Sequence, residues 1–232
     1  MACVALAILW PVLGLVCVAT WLHDFRNPIY ASLRVGKDGK LFRLYKIRTM
    51  GVGADAIGPM TTSVDDPRIT PLGAIIRRVK IDELPQFFNV LIGDMSVVGP
   101  RPQILGEVET YTAEERKLLA VRPGLSDYSS VVFTDLGEIV KSQKNAHLAY
   151  QQLVRPWKSR LGIFYVENPS LAVDAGIVIA TAAAIVSHRA GIAMVACILQ
   201  AQGAPPDLVE MAQRNSSLKP TPPPGSDRIV GT

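Results

Sequence analysis

Cysteine and histidine are scarce, at three of each among 232 residues. Cys3, Cys17 and Cys197 lie in apolar stretches without disulfide or metal-ligand spacing, which argues against a disulfide scaffold and against a zinc centre. They read as small buried or lipid-facing side chains. His23, His147 and His188 are scattered, and none is given a role. Charge is absent from residues 1–22 altogether. Without a basic n-region, and with a basic zone following at once, this stretch does not read as a secretory signal peptide. No zinc-finger, helix-turn-helix or RNA-binding aromatic motif accompanies the net charge of +4, so nucleic acid is not an expected partner.

What is present divides into an apolar start, a basic middle, an amphipathic segment and a proline-rich end. Residues 1–22, at about 1.5 Å per residue, would just cross a hydrocarbon core of roughly 30 Å. Pro11 interrupts this stretch near its middle. The segment before it would reach only about 15 Å, half the core, which suits a re-entrant hairpin. A spanning helix stays open, because membrane helices tolerate proline when neighbours satisfy the freed carbonyl. Residues 23–202 read as one unit with membrane-interface helices, and residues 203–232, holding Pro205-Pro206 and Pro222-Pro223-Pro224, read as a disordered tail.

Within the unit, residues 29–34 and 41–47 flank Gly36-Lys37-Asp38-Gly39, which predicts a β-hairpin. Residues 51–71, rich in Gly, Asp, Thr and Pro, predict a loop. Short helices are expected over 72–80, 82–92 and 113–121. Residues 150–165 mix Trp157 and Phe164 with Arg155, Lys158 and Arg160, a composition for a helix lying in the membrane interface. Residues 171–199 are nearly all apolar but contain Asp174, His188 and Arg189. An arginine near the centre of a span costs at least about 2.5 kcal/mol, so helices packed on the catalytic zone or interface are preferred there.

The chemistry concentrates between Asp65 and Pro102. Arg77 and Arg78 fall five and four residues before Asp82, Lys80 two before, and Arg101 lies beyond the apolar run that follows. Cations therefore approach the Asp82-Glu83 pair from both sides. Asp82 stands where an N-cap belongs and Pro85 in the first turn, so a helix is expected to start at Asp82 and point its free N–H groups at a phosphate. Pro100 and Pro102 hold Arg101 in an extended backbone that aims its guanidinium. The bland alternative is a helix cap beside a solvated basic face.

The longer wording resembles the bacterial sugar transferases, the monotopic polyprenyl-phosphate phosphoglycosyl transferases. Asp66-Pro67-Arg68-Ile69-Thr70, Asp82-Glu83-Leu84-Pro85-Gln86 and Gly93 to Pro102 are similar to that family's signature. Upstream, Arg34-Val35-Gly36, Gly39-Lys40 and Tyr45-Lys46-Ile47-Arg48-Thr49-Met50 resemble its opening hairpin and Lys-x-Arg-[Ser/Thr]-Met motif. Downstream, Arg122-Pro123-Gly124-Leu125-Ser126 resembles its Arg-Pro-Gly segment. The likeness covers about residues 1–187. One departure is the Lys/Arg-rich turn with which the family precedes its first helix; this chain lacks it, which implies a shortened start or a different anchoring.

The resemblance implies an α+β fold, mostly helical with a small β-hairpin, in a monotopic membrane protein with an N-terminal re-entrant helix and interfacial amphipathic helices. It implies transfer of a sugar 1-phosphate from a UDP-sugar to polyprenyl (undecaprenyl) phosphate, with Asp82 as nucleophile. Glu83 would help hold Mg²⁺ with Asp82 or tune its neighbour, and Arg77 would bind the phosphate in transfer. Arg101, set between Pro100 and Pro102, would bind the nucleotide's phosphate or base, and Lys46 and Arg48 are further candidates for phosphate contact. Expected partners are the UDP-sugar, polyprenyl phosphate and membrane lipids, with homodimerisation left open. The expected location is the bacterial inner membrane, with the site facing the cytoplasm. The non-enzymatic rival is a membrane-surface scaffold that binds anionic lipid through the same basic face.

Overall fold

The computed structural model describes residues 2–54, 65–141 and 145–231. Most of the loop expected over 51–71 falls on 55–64, outside the described residues. Among the described residues the chain is mostly helical, with two small two-stranded sheets.

Helix α1 (Ala2–Asp24) runs across Pro11 without a break, so the interruption expected there is a proline inside one helix. Its described side chains begin at Trp10. Among the described residues no helix is long and apolar enough to cross a membrane. Many of the apolar side chains of α1 face outward, including Trp10, Leu15, Val18 and Leu22. The helix packs on α3 (Gln86–Ile92), whose Phe88, Leu91 and Ile92 are also exposed.

The hairpin forms as its alternation predicts. Strand β1 (Ile29–Val35) pairs antiparallel with β2 (Leu41–Ile47), Ile29 opposite Ile47 and Val35 opposite Leu41. Period-two burial turns Phe42 and Leu44 inward onto Met95, which makes a small core between the hairpin and the segment that follows α3. The second sheet is parallel, with β3 (Ser96–Val98) beside β4 (Gly124–Ser126).

The main core lies further along the chain. It joins α5 (Tyr128–Val132), α8 (Arg155–Glu167), α9 (Leu171–Val186), α10 (His188–Ala201) and α11 (Pro206–Gln213). Two expectations are corrected here. The segment 150–165 is no interface helix, because α8 buries Leu161, Ile163 and Tyr165, and Arg155 is buried in a salt bridge to Glu115 at 2.7 Å. A paired and hydrogen-bonded arginine can be buried, which composition alone does not reveal. Nor is 203–232 a disordered tail across its described length. Leu208, Met211 and Ala212 recur at helical spacing and enter the core, while Arg214 pairs with Asp135 at 3.0 Å. Beyond α11, Pro222 and Val230 accept hydrogen bonds from Arg160 and Gln152.

The apolar run 171–199 is divided at Ser187, whose hydroxyl accepts from Ala190 N–H to start α10. The two halves, α9 and α10, pack against each other, as preferred over a single span.

Candidate active site

The site is assembled from the end of β2, the helix α2 (Pro71–Arg78) and the turn that follows it. Thr70 caps α2 by accepting from Gly73 N–H at 2.9 Å, and Thr70 N–H donates to Thr49 O at 3.1 Å. Gly73 is required for this approach, since a Cβ there would lie 2.0 Å from Thr49 O. The close fit brings the last turn of α2 over β2, where Arg77 Nε donates to Thr49 Oγ1 at 2.7 Å. Arg77 is therefore aimed by a hydroxyl from the Lys-x-Arg-Thr-Met segment.

After α2 the chain turns sharply. Lys80 adopts a left-handed conformation at φ 59°, uncommon for any residue other than glycine, and it reverses the chain into the 3₁₀ turn Ile81–Glu83. The expected helix start at Asp82 is thus corrected. Asp82 and Glu83 sit in this separate turn, and α3 begins at Gln86 after Pro85, with no side-chain cap at Pro85. A single turn of tighter helix lets two adjacent carboxylates diverge, whereas an N-cap would have spent Asp82 on the helix backbone. Asn89 then fixes α3 to the hairpin, donating to Arg43 O at 2.7 Å and accepting from Tyr45 N–H at 3.2 Å.

The two carboxylates have different environments. Both oxygens of Glu83 accept from Arg101, at 2.8 and 2.9 Å, and Lys46 Nζ stands 3.8 Å away. Arg101 also donates to Leu125 O at 2.6 Å, an acceptor presented by β4. That strand lies beside β3 because Gly124 has no Cβ, which would stand 2.2 Å from Gly99 N. Asp82 is buried, and its Oδ1 has no hydrogen-bond partner among the described residues.

Electrostatics divides the pair further. Burial, and then the neighbouring Glu83 charge, push the Asp82 carboxyl above its ordinary range against the pull of Lys46, Arg77 and Lys80. Burial would raise Glu83 too, but Arg101, Lys46 and Lys80 together outweigh it and hold that carboxyl at about 2. Glu83 is thus a fixed anion. Asp82 is the more basic of the two and keeps an unused oxygen.

Lys46, Arg48, Arg77, Asp82 and Glu83 all line one cavity of about 500 Å³. Arg48 contributes mainly as a tie, since both of its terminal nitrogens reach Asp24 at 2.7 Å and so fasten the end of α1 to the site. Arg101 does not line this cavity. It faces a second one, of about 450 Å³, with which Glu83 and Lys80 are shared. Pro100 and Pro102 are buried and line neither, so their part is to fix the backbone around Arg101. Sequence reasoning missed Thr49, although it lay inside a motif already singled out. It also left Lys80, Arg68 and Lys158 without roles. Arg68 lines the first cavity while held by Asp66 at 2.7 Å, and no spacing signal marked Lys158.

A divalent cation can be tested against these groups. Among the described residues no three His, Cys, Asp or Glu side chains gather to hold a metal. Each Glu83 oxygen already accepts from Arg101 and keeps a lone pair on the far side, whereas Asp82 offers the unpartnered Oδ1. Mg²⁺ commonly takes one or two protein carboxylates and completes its shell with water and substrate phosphate, so the site fits in that form.

This arrangement, a basic buried carboxylate beside a fixed anion and within reach of several cations, suits attack on a phosphorus. The chain matches the model of the bacterial sugar transferase family over residues 1–188, and it belongs to that family. It is 34% identical over 203 residues to the exopolysaccharide production protein ExoY of Sinorhizobium fredii, covering 81% of this chain and 83% of that one. It is 48% identical over 102 residues to a putative undecaprenyl-phosphate N-acetylgalactosaminyl 1-phosphate transferase of Bacillus subtilis, covering 44% and 57%. It is 35% identical over 138 residues to the UDP-glucose:undecaprenyl-phosphate glucose-1-phosphate transferase of Escherichia coli, covering 56% and 29%. Against several relatives, then, this chain corresponds to one part of a longer protein.

Proposed function

We propose that the protein transfers a sugar 1-phosphate from a UDP-sugar to polyprenyl phosphate at the cytoplasmic face of the bacterial inner membrane. The observation that carries this reading is Asp82: a buried carboxylate, raised above its ordinary pKa, with an unused oxygen in a cavity that also presents Arg77, Lys46 and Lys80. The names of relatives that act between a UDP-sugar and undecaprenyl phosphate support the substrate classes.

In this mechanism an Asp82 oxygen attacks the sugar-bearing phosphorus. The phosphoanhydride bond breaks, UMP leaves with the bonding electrons, and a sugar-phosphoryl-aspartate remains. A polyprenyl phosphate oxygen then attacks the same phosphorus and breaks the acyl–phosphate bond. Polyprenyl-diphosphate-sugar forms and the Asp82 carboxylate returns, with no net proton required. Arg77, held by Thr49, neutralises charge on the phosphoryl oxygens in flight. Glu83 stays ionised, raises the basicity of Asp82 and anchors Arg101. The unpartnered Oδ1 of Asp82 would help hold a Mg²⁺, which would supply charge neutralisation for the substrate phosphates. The exposed apolar side chains of α1 and α3 support seating of the site at a bilayer surface, and a bend at Pro11 would let α1 enter and leave by one leaflet.

Purified protein mixed with a UDP-sugar, undecaprenyl phosphate and Mg²⁺ should release UMP, and Asp82→Asn should not. A folded protein that binds anionic vesicles and releases no UMP from any UDP-sugar would be the membrane-surface scaffold instead.

A further inference from the structure

The two cavities meet at Lys80 and Glu83 and differ in what they offer. The first is ringed by cations and suits a diphosphate. The second joins cations, among them Lys80 and Lys158, to apolar side chains that include Phe133, Leu136 and Ile185. Thr181, Ala184 and Ile185 of α9 form part of its wall. Thr181 and Ser126 share a hydrogen bond at 2.6 Å, which sets that turn of α9 beside β4 and the Leu125 carbonyl that holds Arg101. Ile185 lies one turn further on, about 6 Å along the helix. It is 64% exposed, so this apolar wall reaches the surface.

Lys158 lies between this cavity and a small polar one of about 30 Å³ that Asp127 and Tyr150 also line. Among the described residues it makes no hydrogen bond and no salt bridge, and its ammonium rests 5.7 Å from the centre of the Tyr150 ring. Burial, only partly offset by Asp127, holds it down at about 8. A cation kept partly out of water without an ion pair is costly unless an anion arrives to pair with it.

We infer that this second cavity is the acceptor site, and that polyprenyl phosphate binds there with its phosphate against Lys158 and Lys80 and its first isoprene units along Phe133, Leu136 and Ile185. The inference rests on the transferase reading above and adds to it. A nucleotide sugar has no apolar tail to lay on that wall, whereas an anionic head followed by an apolar chain matches both parts. Donor and acceptor would then reach the Asp82-Glu83 turn from different sides. UMP and the lipid phosphate would not contest one position.

Lys158→Gln and Ile185→Glu test this, the second at a position too exposed to unfold the protein. Binding of undecaprenyl phosphate in detergent micelles, measured without donor, should weaken about tenfold or more in each. In turnover the KM for undecaprenyl phosphate should rise by a similar factor while the KM for the UDP-sugar holds, and UMP should inhibit non-competitively against the lipid. Lipid affinity equal to wild type in both variants would overturn the assignment. So would a rise confined to the KM for the UDP-sugar, which would give the cavity to the nucleotide. The binding arm reads the site even if the wild type releases no UMP, so failure of the transferase reading and failure of the acceptor site give different results.

Discussion

Removing the Arg101 guanidinium should convert Glu83 from a stabilising anion into a burden, and the pH dependence of stability should show it. Glu83 stands at about 2, against an ordinary 4.5. At about 1.4 kcal/mol per unit that difference is worth about 3.5 kcal/mol above pH 4.5. The pair is about a fifth exposed on each side, at 20% and 23%, so solvent screening trims this to about 2 kcal/mol. Because the folded pKa is depressed, the stabilisation is present above the unfolded value and is lost as pH falls from about 4.5 toward 2. In Arg101→Met, burial acts on Glu83 against Lys46 and Lys80 alone, and most of that acid-sensitive stability disappears. Denaturant unfolding of both proteins should give a gap of about 2 to 3 kcal/mol at pH 7 that narrows to about 1 kcal/mol at pH 3. The same substitution in a Glu83→Gln background should cost much less. A gap that stays constant between pH 7 and 3 would refute the claim that Arg101 acts through the Glu83 carboxylate.

Other consequences follow from the packing. Gly73→Ala would place a Cβ 2.0 Å from Thr49 O, so α2 must shift and Arg77 lose its aim; kcat should fall toward that of Arg77→Ala, about 10² below wild type, and an unchanged kcat would separate the two. Leu208→Ala should lower stability by about 2 to 5 kcal/mol in denaturant unfolding, since Leu208 is 4% exposed in the main core; no loss would mean that α11 does not pack there. In a background without Cys3, Cys17 and Cys197, cysteines at positions 2 and 25 should both resist labelling from outside intact cells, whereas labelling at 2 alone would reveal a spanning helix.

Local signals carried the parts of the fold that depend on local chemistry. The hairpin could be read because alternation and a Gly-containing turn both lie within nineteen contiguous residues, Ile29 to Ile47. The Asp82-Glu83 pair and its cations could be read because they share one short stretch. The helix start was misplaced because Asp before a Pro fits an N-cap equally well, and the left-handed turn at Lys80 leaves no mark in composition. Long-range pairings were invisible for the same reason. Arg101 meets Glu83 across 18 residues and Thr49 meets Arg77 across 28. The end of the chain was misjudged from its prolines, although Leu208, Met211 and Ala212 already had the spacing of one helical face. Proline content describes the backbone's freedom, and three well-placed apolar side chains were enough to offset it.

The central claim is that Asp82 becomes covalently phosphorylated by the donor. Protein incubated with a UDP-sugar and Mg²⁺ but no lipid acceptor, quenched in acid and digested, should yield a peptide carrying Asp82 with the added mass of one sugar phosphate, alongside an equal amount of UMP. Asp82→Asn should give neither and should unfold like the wild type. An adduct on a different residue, or an Asp82→Asn protein that keeps a tenth of wild-type turnover, would contradict the account.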